Sequence, residues 1–333
     1  MTQLTVGDLA QSLILSRRNA TLKDSIQNLM TEASTGLAVA TTERLKGDYV
    51  PMAGIEASLT QLESYRLVTV ETGAIAGHMQ IALSSISDGA TTLSSSLLAA
   101  ASSNASSRID TLGLDASQRL QSAMAALNTR MGARSLFSGV VTDRSAVTDS
   151  QTMMAALDTV VAGALSSADV ETALNNWFGD PAGFAATVYQ GGTPLAPVPI
   201  GRDQTARIDV TALDPAIVAT IKGLAMASLL SRGVLAGSAV ARADLAKRAG
   251  ESLASNQSAM ADLAARLGTT EANIINTGVQ NTAEKSALEM ARLGLLSVDP
   301  YETAARLQEA QTQLETLFSI TARMSRLSLV NYL

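Results

Sequence analysis

Cysteine is absent from the 333 residues, and His78 is the single histidine. Without cysteine the chain can form no disulfide, thiolate zinc site, iron–sulfur ligation or cysteine nucleophile. A single histidine excludes a multi-histidine metal site as well. We therefore predict no metal and no cofactor, because metal chemistry here would need carboxylates alone.

Aromatic residues are scarce too: they make up 3% of the chain, although 47% of the residues are hydrophobic. The apolar side chains are thus mostly aliphatic, and a thick aromatic core is not expected. The 24 basic and 30 acidic residues give a formal net charge of −6. A net negative surface disfavours binding to a phosphate backbone, so we predict no nucleic-acid partner.

Long uncharged apolar runs are also missing. The first eight residues place no basic residue ahead of an apolar run, so we expect no signal peptide of the general secretory type. The longest apolar stretch, residues 223–241, carries Arg232 near its middle. A central arginine costs about 2.5 to 3.5 kcal/mol on insertion scales, so we interpret the stretch as a buried bundle helix and predict no membrane insertion.

Catalytic patterns are equally rare. The sequence has no GxSxG elbow, no GxxxxGK[ST] phosphate loop and no GxGxxG turn. Aspartate and glutamate are scattered through Ala-rich runs, as on solvated helix faces. His78 has no second histidine or cysteine to work with. We predict that the chain is not an enzyme.

What the sequence does contain is a heptad series that runs without proline from Ile55 to Ala100. One seam is Ile55, Leu62, Thr69, Ala76, Leu83, Ala90 and Leu97; the other is Tyr65, Thr72, Met79, Ile86, Leu93 and Ala100. A helix of this length would span roughly 69 Å at about 1.5 Å per residue. A compact domain needs no such length, so the pattern predicts an elongated bundle.

Both chain ends carry amphipathic segments. In the first, apolar residues are spaced four and three apart and precede a helix stop at Thr35–Gly36. The second is a seven-residue repeat that starts beyond Asp299–Pro300, where proline suits a first helical turn. We predict that these apolar stripes form an assembly interface made of Leu22, Ile26, Leu29, Leu307, Leu314, Leu317, Met324 and Leu327.

The middle of the chain has a different composition. Five of the seven prolines fall between Pro181 and Pro215, beside Trp177, Phe178, Phe184 and Tyr189. We expect a small separate core here, with short strands over 184–189 and 207–210 and helices over 153–165 and 216–230.

The predicted fold is mainly α: an elongated helical bundle or coiled coil formed by the N- and C-terminal segments, with a small α+β insert domain. The predicted segments are an N-terminal amphipathic helix (1–40), the first half of the long-helix rod (41–139), the insert (140–215), the second half of the rod (216–300) and a C-terminal amphipathic helix (301–333).

Three short motifs in this order resemble those of the bacterial flagellin superfamily, and within it the junction proteins between hook and filament. Residues 32–39, EASTGLAV, are similar to the stop after that family's first helix, and residues 132–139, GARSLFSG, to the element before its variable domain. Residues 328–333, SLVNYL, resemble the ending typical of the junction proteins.

The resemblance implies a structural protein of the bacterial flagellum, located at the hook–filament junction and secreted to the cell exterior through the flagellar export channel. It implies neighbouring copies of the chain, another hook-associated protein, flagellin and a flagellar export chaperone as partners. The runner-up within the superfamily is flagellin itself, the filament subunit. A more distant alternative is a binding or enzymatic module on a helical stalk.

Overall fold

A computed structural model describes residues 6–103 and 106–330 of the chain. The fold is mainly α, built on long helices with a small α+β region in the middle of the chain, which confirms the predicted fold class. The helices are α1 (Val6–Thr35), α2 (Thr41–Arg44), α3 (Val50–Ser102), α4 (Ser106–Leu127), α5 (Ser150–Val161), α6 (Ser167–Gly179), α7 (Phe184–Thr187), α8 (Pro215–Ser228), α9 (Ala239–Ser255), α10 (Gln257–Leu296) and α11 (Pro300–Val330).

The strands form two short antiparallel pairs within the described part of the chain. They are β1 (Arg130–Met131) with β2 (Arg134–Ser135), and β3 (Val198–Gly201) with β4 (Gln204–Ala206). The described chain divides into two compact units. The first, or terminal unit, comprises residues up to Glu63 and from Thr282 onward; the second, or central unit, comprises Ser64–Asn281.

The predicted heptad seams lie along α3. Eleven of the thirteen seam positions are buried, and Ile55 and Tyr65 are half-buried. The buried positions are Leu62, Thr69, Thr72, Ala76, Met79, Leu83, Ile86, Ala90, Leu93, Leu97 and Ala100. Because a repeat of 3.5 residues keeps one stripe on one side of a helix, the spacing alone identified the inward face of α3 correctly.

The core of the central unit is one continuous cluster. It runs from α3 and α4 through the segment 140–215 to α8, α9 and the first part of α10. The expected aromatic group is present, with the rings of Phe178 and Phe184 stacked 5.2 Å apart and Trp177 edge-on to Phe178 at 4.9 Å. These rings pack against the shared cluster, so the division of 140–215 as a domain of its own stays a prediction.

The predicted strands are wrong in position. Residues Phe184–Thr187 form the short helix α7, and residues 207–210 belong to no named strand. Ile208 and Val210 are nonetheless buried while Arg207 is exposed. The alternation of polar and apolar residues therefore predicted correctly which side chains are buried. A strand also needs a hydrogen-bonded neighbour, and here the pairing segments are β3 and β4, just before residue 207.

The apolar stretch 223–241 also departs from its expected single helix. Helix α8 ends at Ser228, a 3₁₀ turn follows, and Gly233 adopts a left-handed conformation with φ of 81°. Arg232 lies at this break, where its guanidinium forms an ion pair with Asp158. In the described part of the chain, no helix is both long and apolar enough to span a membrane.

The motif at residues 132–139 forms a tight connection in the central unit. The backbone is left-handed at Gly132 and Gly139, with φ of 60° and 61°. A side chain at Gly139 would collide with the carbonyl oxygen of Thr193. Between these glycines the Phe137 ring is fully buried, and its carbonyl accepts a hydrogen bond from Ala212 N at 2.9 Å.

The β3–β4 hairpin is attached to α10 by side-chain hydrogen bonds. The amide Nδ2 of Asn281, itself 8% exposed, donates to the carbonyl of buried Ile200 at 2.8 Å. The hydroxyl of Thr277 forms a second hydrogen bond with the side-chain oxygen of Gln204. The hairpin is therefore held on α10 by buried polar contacts as well as by packing.

Removal of the Asn281 amide should destabilise the central unit. In Asn281→Ala the buried Ile200 carbonyl loses its donor, which costs about 1 to 3 kcal/mol. The midpoint of urea denaturation, followed by the fluorescence of Trp177, should fall accordingly. Gln280→Ala is the matched control, because this neighbour is exposed and contacts Gln204 only at 3.4 Å. Equal midpoints for the two variants would contradict the assignment of Asn281 as the residue that holds the hairpin on α10.

Candidate assembly surface

Helices α1 and α11 pack against each other within the terminal unit. They are antiparallel, because Leu37, just after α1, forms an antiparallel bridge with Ser297, just before α11. Farther along the pair, the ammonium of Lys23 lies 6.0 Å from the centre of the Phe318 ring. This register places Leu22 and Leu317 at neighbouring levels.

The facing residues follow heptad spacing on both helices. Leu317 is buried, and six other predicted interface residues are half-buried: Leu22, Ile26, Leu29, Leu307, Leu314 and Met324. The side chain of the eighth, Leu327, lies outside the described residues. The structure thus places these seven side chains along one intramolecular seam. Their role in contacts between copies stays a prediction.

Sequence reasoning missed some members of this seam. Leu15 and Asn19 continue the α1 stripe toward the N-terminus and are half-buried, and Thr303 begins the α11 stripe and is 4% exposed. The spacing could have identified them, because all three positions continue the stripes at intervals of three or four residues. Polar residues at seam positions concealed it.

The loop after Gly36 ties the two helix ends together. Gly36 is left-handed with φ of 71° and donates to the Glu32 carbonyl at 2.8 Å, as glycine does after many helices. Its own carbonyl accepts from Val298 N at 3.0 Å, and Ala38 N donates to the Leu296 carbonyl at 2.8 Å. The Glu32 carboxylate accepts from Val39 N at 2.8 Å. The Thr35–Gly36 pair therefore fixes where α1 ends and the chain turns back.

Much apolar surface of the α1–α11 pair remains open. On α1, Leu13, Ile14 and Met30 are 54–55% exposed, and on α11 Phe318 and Ile320 are 45–47% exposed. A shallow groove of about 310 Å³ runs beside Ile14, Arg17, Arg18, Thr21 and Leu22. Two antiparallel helices cannot cover both flanks of their own seam, so this surface is suited to further helices.

No comparable site for chemistry is found in the described residues. His78 lies exposed on α3, and within residues 6–103 and 106–330 no group of three or more acidic or histidine side chains could hold a metal ion. Within the described residues the candidate site is therefore the helix-packing surface of α1 and α11.

One known protein family matches the C-terminal part of the chain. Residues 252–333, which include all of α10 and α11, match the family described as the bacterial flagellin C-terminal helical region. No curated protein matches the chain in sequence.

Solved structures share the fold at low identity. The crystal structure of FlgL from Bacillus cereus aligns with a TM-score of 0.51 and 14% identity, covering 71% of this chain and 97% of that one. A Vibrio parahaemolyticus protein described as a candidate flagellar hook-associated protein aligns with a TM-score of 0.52 and 14% identity, covering 74% and 98%. The resemblance to the bacterial flagellin superfamily is thereby confirmed for residues 252–333, and the two solved structures share the fold.

Proposed function

We propose that this chain is a structural protein of the bacterial flagellum that joins hook to filament, as hook-associated protein 3 does. The observation that carries the proposal is the half-open seam between α1 and α11, of which α11 lies in the region that matches the flagellin C-terminal family. A seam that one chain leaves half-buried is completed when neighbouring copies pack against it.

Copies of the chain are accordingly proposed to form the joint through coiled-coil contacts of their terminal helices. Another hook-associated protein on one side and flagellin on the other are the proposed neighbours, and an export chaperone is the proposed escort. The place of action is extracellular, at the hook–filament junction. The proposed role needs no catalytic residue, so the chain is not proposed to be an enzyme.

A filament subunit is the second candidate, since the matched family region is that of flagellin itself. Deletion of the gene distinguishes the two roles. For a junction protein, electron micrographs of the deletion strain should show hooks without filaments, and unpolymerised flagellin should accumulate in the medium. For a filament subunit, flagellin protein itself should be missing from the medium. Normal filaments in the deletion strain would contradict both roles.

A further inference from the structure

The charges of the α1–α11 pair are separated along its length. One end, here called the basic end, consists of residues 13–23 of α1 and 318–324 of α11. It contains Arg17, Arg18, Lys23 and Arg323 and no acidic residue. All four cations are exposed, and the three arginines form no ion pair within the described residues.

The other end, here called the acidic end, consists of residues 24–35 and 299–317. It contains six acidic residues and one basic residue, Arg306, which pairs with Glu302 one turn away. The acidic residues are Asp24, Glu32, Asp299, Glu302, Glu309 and Glu315. Glu309 and Glu315 are exposed and form no ion pair within the described residues.

Lys23 and Asp24 adjoin where the two ends meet, but Arg17 and Arg18 are too far from Glu32 within one chain to be neutralised by it. Arg18 and Glu32 are separated along α1 by about 21 Å at 1.5 Å per residue. The screening length at physiological ionic strength is about 8 Å, so most of this attraction is lost in the solvent. The charges are therefore available to a second molecule.

We propose that copies of this chain dock with their α1–α11 pairs staggered along the axis, the basic end of one copy against the acidic end of the next. The inference rests on the proposed assembly role and specifies its geometry. Neighbours in register would bring four cations against four cations and carboxylates against carboxylates. A shift of about 21 Å removes that repulsion and brings opposite charges together.

The exposed apolar residues of the basic end also favour a second copy of the chain as the partner. Leu13 and Ile14, each more than half exposed, lie beside Arg17 and Arg18 at the basic end. Any helix pair that covers them must be apolar in the middle and acidic at its flank. The acidic end has this character, because Met30 and Tyr301 are 54% and 89% exposed there, in the same segments as its carboxylates.

Charge reversal in the full-length chain tests the stagger. Arg17→Glu with Arg18→Glu lowers the net charge of the basic end from +4 to zero, and Glu309→Arg with Glu315→Arg reduces the net charge of the acidic end from −5 to −1. Each double variant alone should self-associate about tenfold more weakly than the unaltered chain in sedimentation velocity experiments, because carboxylates then face carboxylates or cations face cations. The unaltered chain should also lose association in about 0.5 M salt, where screening is stronger.

An equimolar mixture of the two double variants should associate more strongly than either variant alone, because the unaltered basic end of one variant again meets the unaltered acidic end of the other. Recovery also shows that both variants are folded. Arg108→Glu with Arg202→Glu is the matched control, since these exposed arginines of the central unit change the net charge equally. It should leave association unchanged.

Three results would overturn the stagger. The first is self-association that neither salt nor charge reversal weakens. The second is a mixture of the two double variants that associates no more strongly than either variant alone. The third is association only with a different flagellar protein. In each case the proposed junction role would stand if deletion of the gene still left hooks without filaments. Normal filaments in that strain would instead remove the role on which the stagger rests.

Discussion

Flagella should fail to form in cells whose only copy of this chain carries Leu317→Asp. Leu317 is the most buried of the seven predicted interface residues whose side chains the structure describes, at 8% exposure. A carboxylate at this position enters the apolar seam at the level of Leu22. Burial of an unpaired charge costs on the order of 3 kcal/mol or more, which two marginally stable helices cannot offset. Electron microscopy and swimming assays measure the outcome.

The central unit should be unaffected by this change. Trp177 is the one tryptophan of the chain and lies in that unit, so its fluorescence reports whether the unit has folded. Ser319→Asp adds the same charge two residues away on an exposed position of α11 and should support normal flagella. Normal filaments with Leu317→Asp would show that the seam is not needed for assembly.

The largest loss of folding stability is expected from Phe137→Ala. The ring is fully buried and belongs to the motif that connects α4 with the segment 140–215. Its removal leaves a cavity inside a core that several elements share and cannot easily collapse, which costs about 3 to 5 kcal/mol. Urea denaturation followed by Trp177 fluorescence should show a correspondingly lower midpoint.

Phe318→Ala is the matched control, since it removes the same ring from a position that is 47% exposed in the terminal unit. It should shift the Trp177 transition little. If both variants lowered that midpoint equally, the assignment of Phe137 to the core of the central unit would be wrong.

Periodicity alone predicted most of the helical architecture, since burial repeats at fixed spacing. The seams of α3, the stop at Gly36 and the start of α11 at Pro300 all follow from local residue choice. In α9 and α10, Leu245, Leu253 and Met260 are buried at a similar spacing of seven or eight residues. Helix signals of this kind need no knowledge of distant partners.

The middle of the chain was harder to predict for a physical reason. Ile208 and Val210 alternate with polar residues as in a strand, yet the segment that pairs is Gln204–Ala206, which ends just before them in the sequence. The anchor residue Asn281 is polar and lies in α10, about eighty residues from the hairpin it holds. Pairing and buried hydrogen bonds of this kind depend on long-range contacts that no local pattern reports.

The candidate surface was predicted in part. The spacing found the apolar stripes on both helices, but a sequence pattern does not show how completely one stripe covers another. Only the structure shows that Leu22, Ile26 and Leu29 remain half-buried when α1 and α11 are packed together.

The half-buried seam has a consequence for hydrogen exchange. Amide protons exchange through local opening, and the free energy of opening follows the apolar contacts that must be broken. Amides near Ile26 and Leu314 should therefore exchange much faster in the free chain than those near Met79 or Leu93, whose side chains are fully buried. Once copies have assembled, this difference between the two units should shrink, because the seam then opens only when a neighbour leaves.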